Sequence, residues 1–352
     1  MPVSMPSFLA TDAQAYEHFM ARWSRRLAGP FLDFAGVKAG DRVLDVGCGT
    51  GVIAAALAER GCTVIGLDAS EPYLEGARRD RSHPNIVYEL GDARRMPYPD
   101  GSFDACVSAL TIDVIPEVDQ VVREMRRVTR GGGTVASGVV DFWGGFSAAD
   151  LVCDTASVLD EGMRSLRDQR KARPIVWANG QATIWRDTGL AAAVEVPVVI
   201  SFDYSSFEDY WSSFSRAPSP IGQRVAALPA ERRAQVERHV RSGYLAGLPD
   251  GAAVVRHHRP YGAGHCTSRR LSAESQLAAD QVRACLCVPA AADDQVQILC
   301  WAPGEATGHR AAMLRNGSFL RAGDTGPPLL GRSAAKSGRW RACSMITRMR
   351  RF

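Results

Sequence analysis

Three glycines packed behind a short apolar run dominate this chain: Arg42-Val43-Leu44-Asp45-Val46-Gly47-Cys48-Gly49-Thr50-Gly51. Val43, Leu44 and Val46 read as a buried strand, because a short apolar run bounded by glycines is a strand signal. The Ala-rich stretch from Val52 to Arg60 then reads as a helix, stopped by Gly61. Thr63–Asp68 predicts a second strand ending in a carboxylate. Asp68 lies 21 residues beyond Gly47, the separation of an acid that receives ribose hydroxyls in a strand–helix–strand nucleotide site. Glycine is needed in such a turn because a Cβ blocks close approach of the ligand.

The spacing discriminates between ligands. A dinucleotide site wants G-x-G-x-x-G, with pyrophosphate over the helix N-terminus. Here the pattern is G-x-G-x-G, preceded two residues earlier by Asp45. A carboxylate there repels pyrophosphate and suits a cationic ligand. No G-x-x-x-x-G-K-[ST] loop occurs. Cys48 reads as a small filler of the turn, since no second Cys or His stands nearby at ligand spacing.

VLDVGCGTG followed by VIGLDAS resembles class I S-adenosylmethionine-dependent methyltransferases, type 11, in the branch similar to ubiquinone and menaquinone biosynthesis enzymes. The likeness continues through Gly91-Asp92-Ala93, the stretch Phe103–Leu110 and Glu124–Gly133. It covers residues 16 to 145 well and extends more loosely to about 250. It departs at Gly131, where the family usually has proline.

The resemblance implies S-adenosylmethionine as cofactor and gives each position a role. The turn of Gly47, Cys48, Gly49 and Gly51 would lie under the methionine portion and ribose, with Asp45 near the amino group. Asp68, with Ala69 after it, would take the ribose hydroxyls. Asp92 would take the adenine amino group with the Ala93 N–H beside it, and Ala109 and Leu110 would approach the methionine side. Without these neighbours, Asp92 reads as a solvated turn acid, and Asp68 could be an acid opening the next helix.

Alternating strand and helix patterns give an α/β fold, a doubly wound, mostly parallel Rossmann-like sheet with ligands at the carboxyl ends of its strands. Asn85–Leu90, Ala105–Leu110, Gly133–Val140 and Val194–Ser201 continue the strands. Val118, Val121, Val122, Met125 and Val128 recur at helical steps, so Glu117–Thr129 is an amphipathic helix. The family's sheet has seven strands with one reversed edge strand. Its last strand is expected soon after residue 250, where nothing suitable follows except Val296–Trp301. Tyr16–Phe34 reads as a helix packed on the sheet or as a lid, with Tyr16 or Arg22 reaching the methionine carboxylate. Aromatics between residues 142 and 215 are expected in the core and around an apolar acceptor pocket.

Composition changes near residue 250. Residues 251–352 hold 15 Lys and Arg against 6 Asp and Glu, and only 17 of them are Leu, Ile, Val or Phe. That balance points to disorder. The domain is therefore placed at 1–250, with its core at 40–145 and substrate-shaping helices at 146–250. The tail from 251 to 352 reads as a flexible extension, a basic nucleic-acid arm or the product of a reading-frame change near Gly251. Arginines not interleaved with aromatics argue against nucleic acid. No long apolar run predicts a membrane span. Nine irregularly spaced cysteines suit reduced thiols and a cytoplasmic address. Oligomeric state is not encoded legibly.

Methyl transfer from a sulfonium is an in-line displacement that needs alignment and exclusion of water. Where a base is needed, Asp113 and Asp141, just past two strand ends, are the candidates. Ser108–Asp113 lacks the [DN]PP[YF] and Pro-Cys patterns of nucleobase methyltransferases, so a small, partly apolar acceptor is expected. The rival expectation is a cofactor-binding chain without turnover, destabilised by loss of its final strand.

Overall fold

The computed structural model describes residues 13–143, 145–190, 193–202, 204–247, 249–250, 278–287, 298–301, 311–315 and 318–320. The buried strand expected before the glycines is Arg42–Val46 (β1), with Val43, Leu44 and Val46 all inaccessible to solvent. Thr63–Asp68 (β2), Ile86–Leu90 (β3), Phe103–Ala109 (β4) and Thr129–Val140 (β5) follow. All join in parallel in the order β3-β2-β1-β4-β5. Helices connect β1 to β2, β2 to β3 and β4 to β5, as parallel pairing requires a crossover. The helix Val118–Val128 buries Val121, Val122, Met125 and Val128, the face that its sequence spacing predicts.

Two further strands, Val194–Phe202 (β6) and Ala278–Cys287 (β7), complete a seven-stranded sheet. β7 runs antiparallel to both β5 and β6 and lies between them. This corrects the expectation that the final strand is missing. It also corrects the place of the reversed strand, which stands one in from the edge, with β6 outermost. The signal was weak for a physical reason. Val282, Ala284 and Leu286 alternate with polar or small residues in a short run, set in a polar, Arg-rich context. Ile298–Trp301, which covers most of the suggested substitute, belongs instead to a separate three-stranded sheet with Ala311–Arg315 and Ser318–Leu320.

The chain divides into two units, Met1–Ile298 and Leu299–Phe352. The boundary expected near 250 thus precedes β7. Most of the basic tail, including the residues next to Gly251, lies outside the described residues. Among the described residues no helix is long and apolar enough to cross a membrane.

The N-terminal segment is a short helical turn, Ala13–Tyr16, a π-helical turn, Glu17–Ala21, and the helix Arg22–Ala35. Ion pairs fix it at both ends. Arg81 clamps Glu17 through Nη1 and Nη2 at 2.7 and 2.8 Å and also donates to Thr50 O at 2.8 Å. Arg22 pairs with Asp209 at 2.7 Å. Tyr16 lies against Tyr73 with ring centroids 4.2 Å apart.

Candidate active site

A cavity of about 410 Å³ opens at the carboxyl ends of β1, β2, β3 and β4. Gly47, Asp68, Ala69, Asp92, Ala93 and Leu110, all singled out in the sequence, line it. Asp45, Cys48, Gly49, Gly51 and Ala109 do not. Tyr16, Tyr73 and Thr111 do, and add an aromatic wall and a hydroxyl. Tyr16 Oη stands 3.0 Å from where a Cβ on Gly49 would be, so the N-terminal segment covers the turn. Arg22 is not in this wall; its charge is spent on Asp209 and on the Tyr204 ring, 4.8 Å away.

The turn leaves no room for a side chain at Gly47 or Gly51. Gly47 has φ +71°, and a Cβ there would collide with Thr111 Cγ2. Gly51 has φ +86°, and its Cβ would collide with Tyr88 Oη. Thr111 is held in place because its hydroxyl, 3.0 Å from Gly47 O and 3.2 Å from Ala109 O, donates to these carbonyls.

Asp68 closes the turn as well as lining the cavity. Its Oδ2 accepts from the Gly49 N–H at 2.8 Å and its Oδ1 from the Ser70 N–H at 2.9 Å. Burial raises its pKa while these N–H groups oppose the rise. Asp92 is more exposed and has its pKa lowered by hydrogen bonds from Arg94. Arg94, itself in the lining, is held by Asp92 at 2.8 Å and Glu117 at 3.2 Å. The walls therefore offer carboxylates rather than uncommitted arginine, which suits a nucleoside with a cationic tail and not a polyphosphate. By this test the residues present fit S-adenosylmethionine.

Asp45 sits behind the turn, 1% exposed, with Oδ2 lacking a hydrogen-bond partner. Burial, then the charge of Asp68, pushes its pKa up to about 8. An unfolded aspartate ionises near pH ~3.9, so between these values the native state holds one more proton than the unfolded chain. Stability should therefore fall as pH rises from about 4 towards 8. In denaturant unfolding at pH 5 and pH 8.5, Asp45→Asn should reduce that fall by at least about 1 kcal/mol. An equal fall in both proteins would contradict the account.

A second, enclosed space of about 60 Å³ adjoins the first, and Met20, Leu110 and Val114 line both. Its walls are largely apolar, including Phe19, Trp23, Phe142 and Phe146. Of the two candidate bases only Asp113 lines it. Asp141 is buried among turn residues, where its Oδ1 accepts from the Trp143 N–H at 2.9 Å. Leu110, between the two spaces, has a left-handed backbone with φ +59°. That conformation costs a leucine roughly 1–2 kcal/mol, and strain of this kind clusters at functional sites.

Tyr73, Thr111 and the Glu17–Arg81 clamp escaped the sequence reading. Tyr73 and Thr111 belong to no glycine pattern, and the clamp joins positions 64 residues apart.

Comparison with known proteins finds similarity to methyltransferases. Residues 44–137 match the family model described as a methyltransferase domain. Methyltransferase GfsG of Streptomyces halstedii is 37% identical over 166 residues, 44% of this chain and 56% of that protein. A demethylmenaquinone methyltransferase of Beutenbergia cavernae is 38% identical over 121 residues, covering 33% of this chain and 49% of that protein. The chain thus spans about half the length of these curated relatives. A crystal structure of a putative methyltransferase from an antibiotic biosynthesis pathway of Anabaena variabilis aligns over 74% of this chain and 96% of its own, at 16% identity and TM-score 0.48. Over residues 44–137 this chain is therefore similar to a methyltransferase domain.

Proposed function

We propose that this protein transfers a methyl group from S-adenosylmethionine to a small, partly apolar acceptor by in-line displacement. The observation that carries this reading is the meeting of two spaces at Leu110: a carboxylate-lined nucleoside-sized cavity and a largely apolar one beside it. The bound sulfonium supplies an already activated methyl group. The chain's own work is then to align the acceptor and exclude water. Tyr16 and Met20 cover one side of this junction, and the Glu17–Arg81 and Arg22–Asp209 pairs hold them there.

In this reading Asp68 accepts the ribose hydroxyls and Ala69 borders them. Asp92 and the Ala93 N–H receive the adenine edge. The turn Gly47–Gly51 runs under the methionine portion, Asp45 stands behind it as the nearest buried carboxyl, and Leu110, with Ala109 before it, approaches the methionine side. The rival reading, a chain that binds cofactor without turnover, rested on a missing last strand. With β7 paired in the sheet it loses that support.

Release of S-adenosylhomocysteine tests the proposal. The full chain, incubated with S-adenosylmethionine and a panel of small hydroxylated, aminated and carboxylated aromatics, should release it with at least one member. Saturable cofactor binding with no release across the panel would count against the enzyme reading. Asp68→Ala should weaken S-adenosylmethionine binding by about 1.5–3 kcal/mol, the worth of hydrogen bonds to a charged acceptor. Unchanged affinity in a calorimetric titration would remove Asp68 from that role.

A further inference from the structure

The apolar space is lined by three charged groups, two of which carry a polar atom with no hydrogen-bond partner. Asp113, on the short turn Ile112–Val114 that follows β4, is 4% exposed, and its Oδ1 has no hydrogen-bond partner. Arg173, just past the helix Glu161–Lys171, donates from Nη2 to Ile115 O at 2.6 Å, while its Nη1 is buried and unpartnered. Arg170, near the end of that helix, lays its guanidinium 4.0 Å from the centre of the Phe142 ring. All three line the same cavity. A buried carboxylate oxygen and a buried guanidinium N–H left unmade each cost about 1–3 kcal/mol or more. Their persistence in one cavity points to a ligand that satisfies both.

We infer that the acceptor presents an acidic hydroxyl, of a phenol or an enol, whose O–H donates to Asp113 Oδ1 and whose oxygen accepts from Arg173 Nη1. This inference rests on the methyltransferase reading and names its acceptor class. Competing groups satisfy the site less well. An ammonium meets two arginines, and a carboxylate meets Asp113. An aliphatic alcohol is too weak an acid for a carboxylate base. A phenolic or enolic oxygen matches a donor and an acceptor at once, with the second arginine adding positive charge. The enclosed 60 Å³ holds about five waters at 10–15 Å³ each, which is room for one six-membered ring. The apolar walls take its faces.

The step balances. Asp113 takes the hydroxyl proton, and Arg173 and Arg170 stabilise the charge that develops on the oxygen. The oxygen's electron pair forms the new O–CH3 bond, while the S–CH3 pair stays on sulfur, which becomes a neutral thioether. The proton leaves Asp113 for solvent when the product departs. Burial raises the pKa of Asp113 against the opposing charges of Arg173 and Arg170, the direction that makes a carboxylate a better proton acceptor.

The test uses the full chain saturated with S-adenosylhomocysteine and two probes that differ by one hydroxyl, 4-cresol and toluene. Calorimetry should show at least a tenfold preference for the phenol. Asp113→Ala and Arg173→Met should each cut the preference to within about threefold and leave S-adenosylhomocysteine affinity unchanged, which also shows that each variant is folded. Equal binding of the two probes, no binding of 4-cresol, or a preference that survives both substitutions would overturn the inference. Failure to bind S-adenosylhomocysteine at all would instead strike the methyltransferase reading.

Discussion

Gly47→Ala should lower stability by about 2–5 kcal/mol and weaken S-adenosylmethionine binding at least tenfold. Two independent costs add. The left-handed backbone at φ +71° costs an L-residue roughly 1–2 kcal/mol. The new Cβ also overlaps the Thr111 side chain, and overpacking of this kind costs about 1–3 kcal/mol. Thr111 cannot swing away freely, because its hydroxyl holds Gly47 O and Ala109 O. Relief must come from a shift of the turn or of the Leu110–Thr111 corner, and Gly47, Leu110 and Thr111 all line the cavity proposed for the cofactor. Chemical denaturation and calorimetry measure the two effects. A loss under about 1 kcal/mol with unchanged affinity would show that the turn is slack and not a fitted floor.

Ending the chain after Asp250 should abolish cooperative folding of the first unit, Met1–Ile298. The cut removes β7, the strand that joins β6 to β5. β6 then has no partner in the seven-stranded sheet, and β5 becomes an open edge. Each backbone hydrogen bond is worth a net of about 0.5–1.5 kcal/mol. Losing two ladders therefore rivals the 5–15 kcal/mol that holds a typical domain together. A chain ending after residue 298, the limit of the first unit, should keep a single sharp unfolding transition. A sharp transition in the shorter chain would show that β7 is dispensable and would restore the boundary near 250.

The parts of this molecule that local chemistry determines were legible in the amino-acid order. Gly47 and Asp68 belong to one strand–turn–helix–strand unit, and the helix Val118–Val128 announces its buried face by spacing. What escaped depends on distance along the chain or on competition between equal candidates. Asp113 and Asp141 both follow strand ends, and no pattern separates them. The fold does, by giving Asp141 the Trp143 N–H and leaving Asp113 Oδ1 bare. Arg173 comes to Asp113 from a helix end 60 residues later. Arg22 looked free to reach a ligand, yet Asp209, which neutralises it, lies 187 residues away. β7 was hidden for a different reason. A strand held on both sides by neighbours needs little hydrophobic signal of its own, because its ladders supply the pairing.

The most direct measurement is a calorimetric titration of the full chain with S-adenosylmethionine. The account predicts saturable one-to-one binding, weakened by Asp68→Ala. A cooperatively folded protein that takes up no S-adenosylmethionine would contradict it.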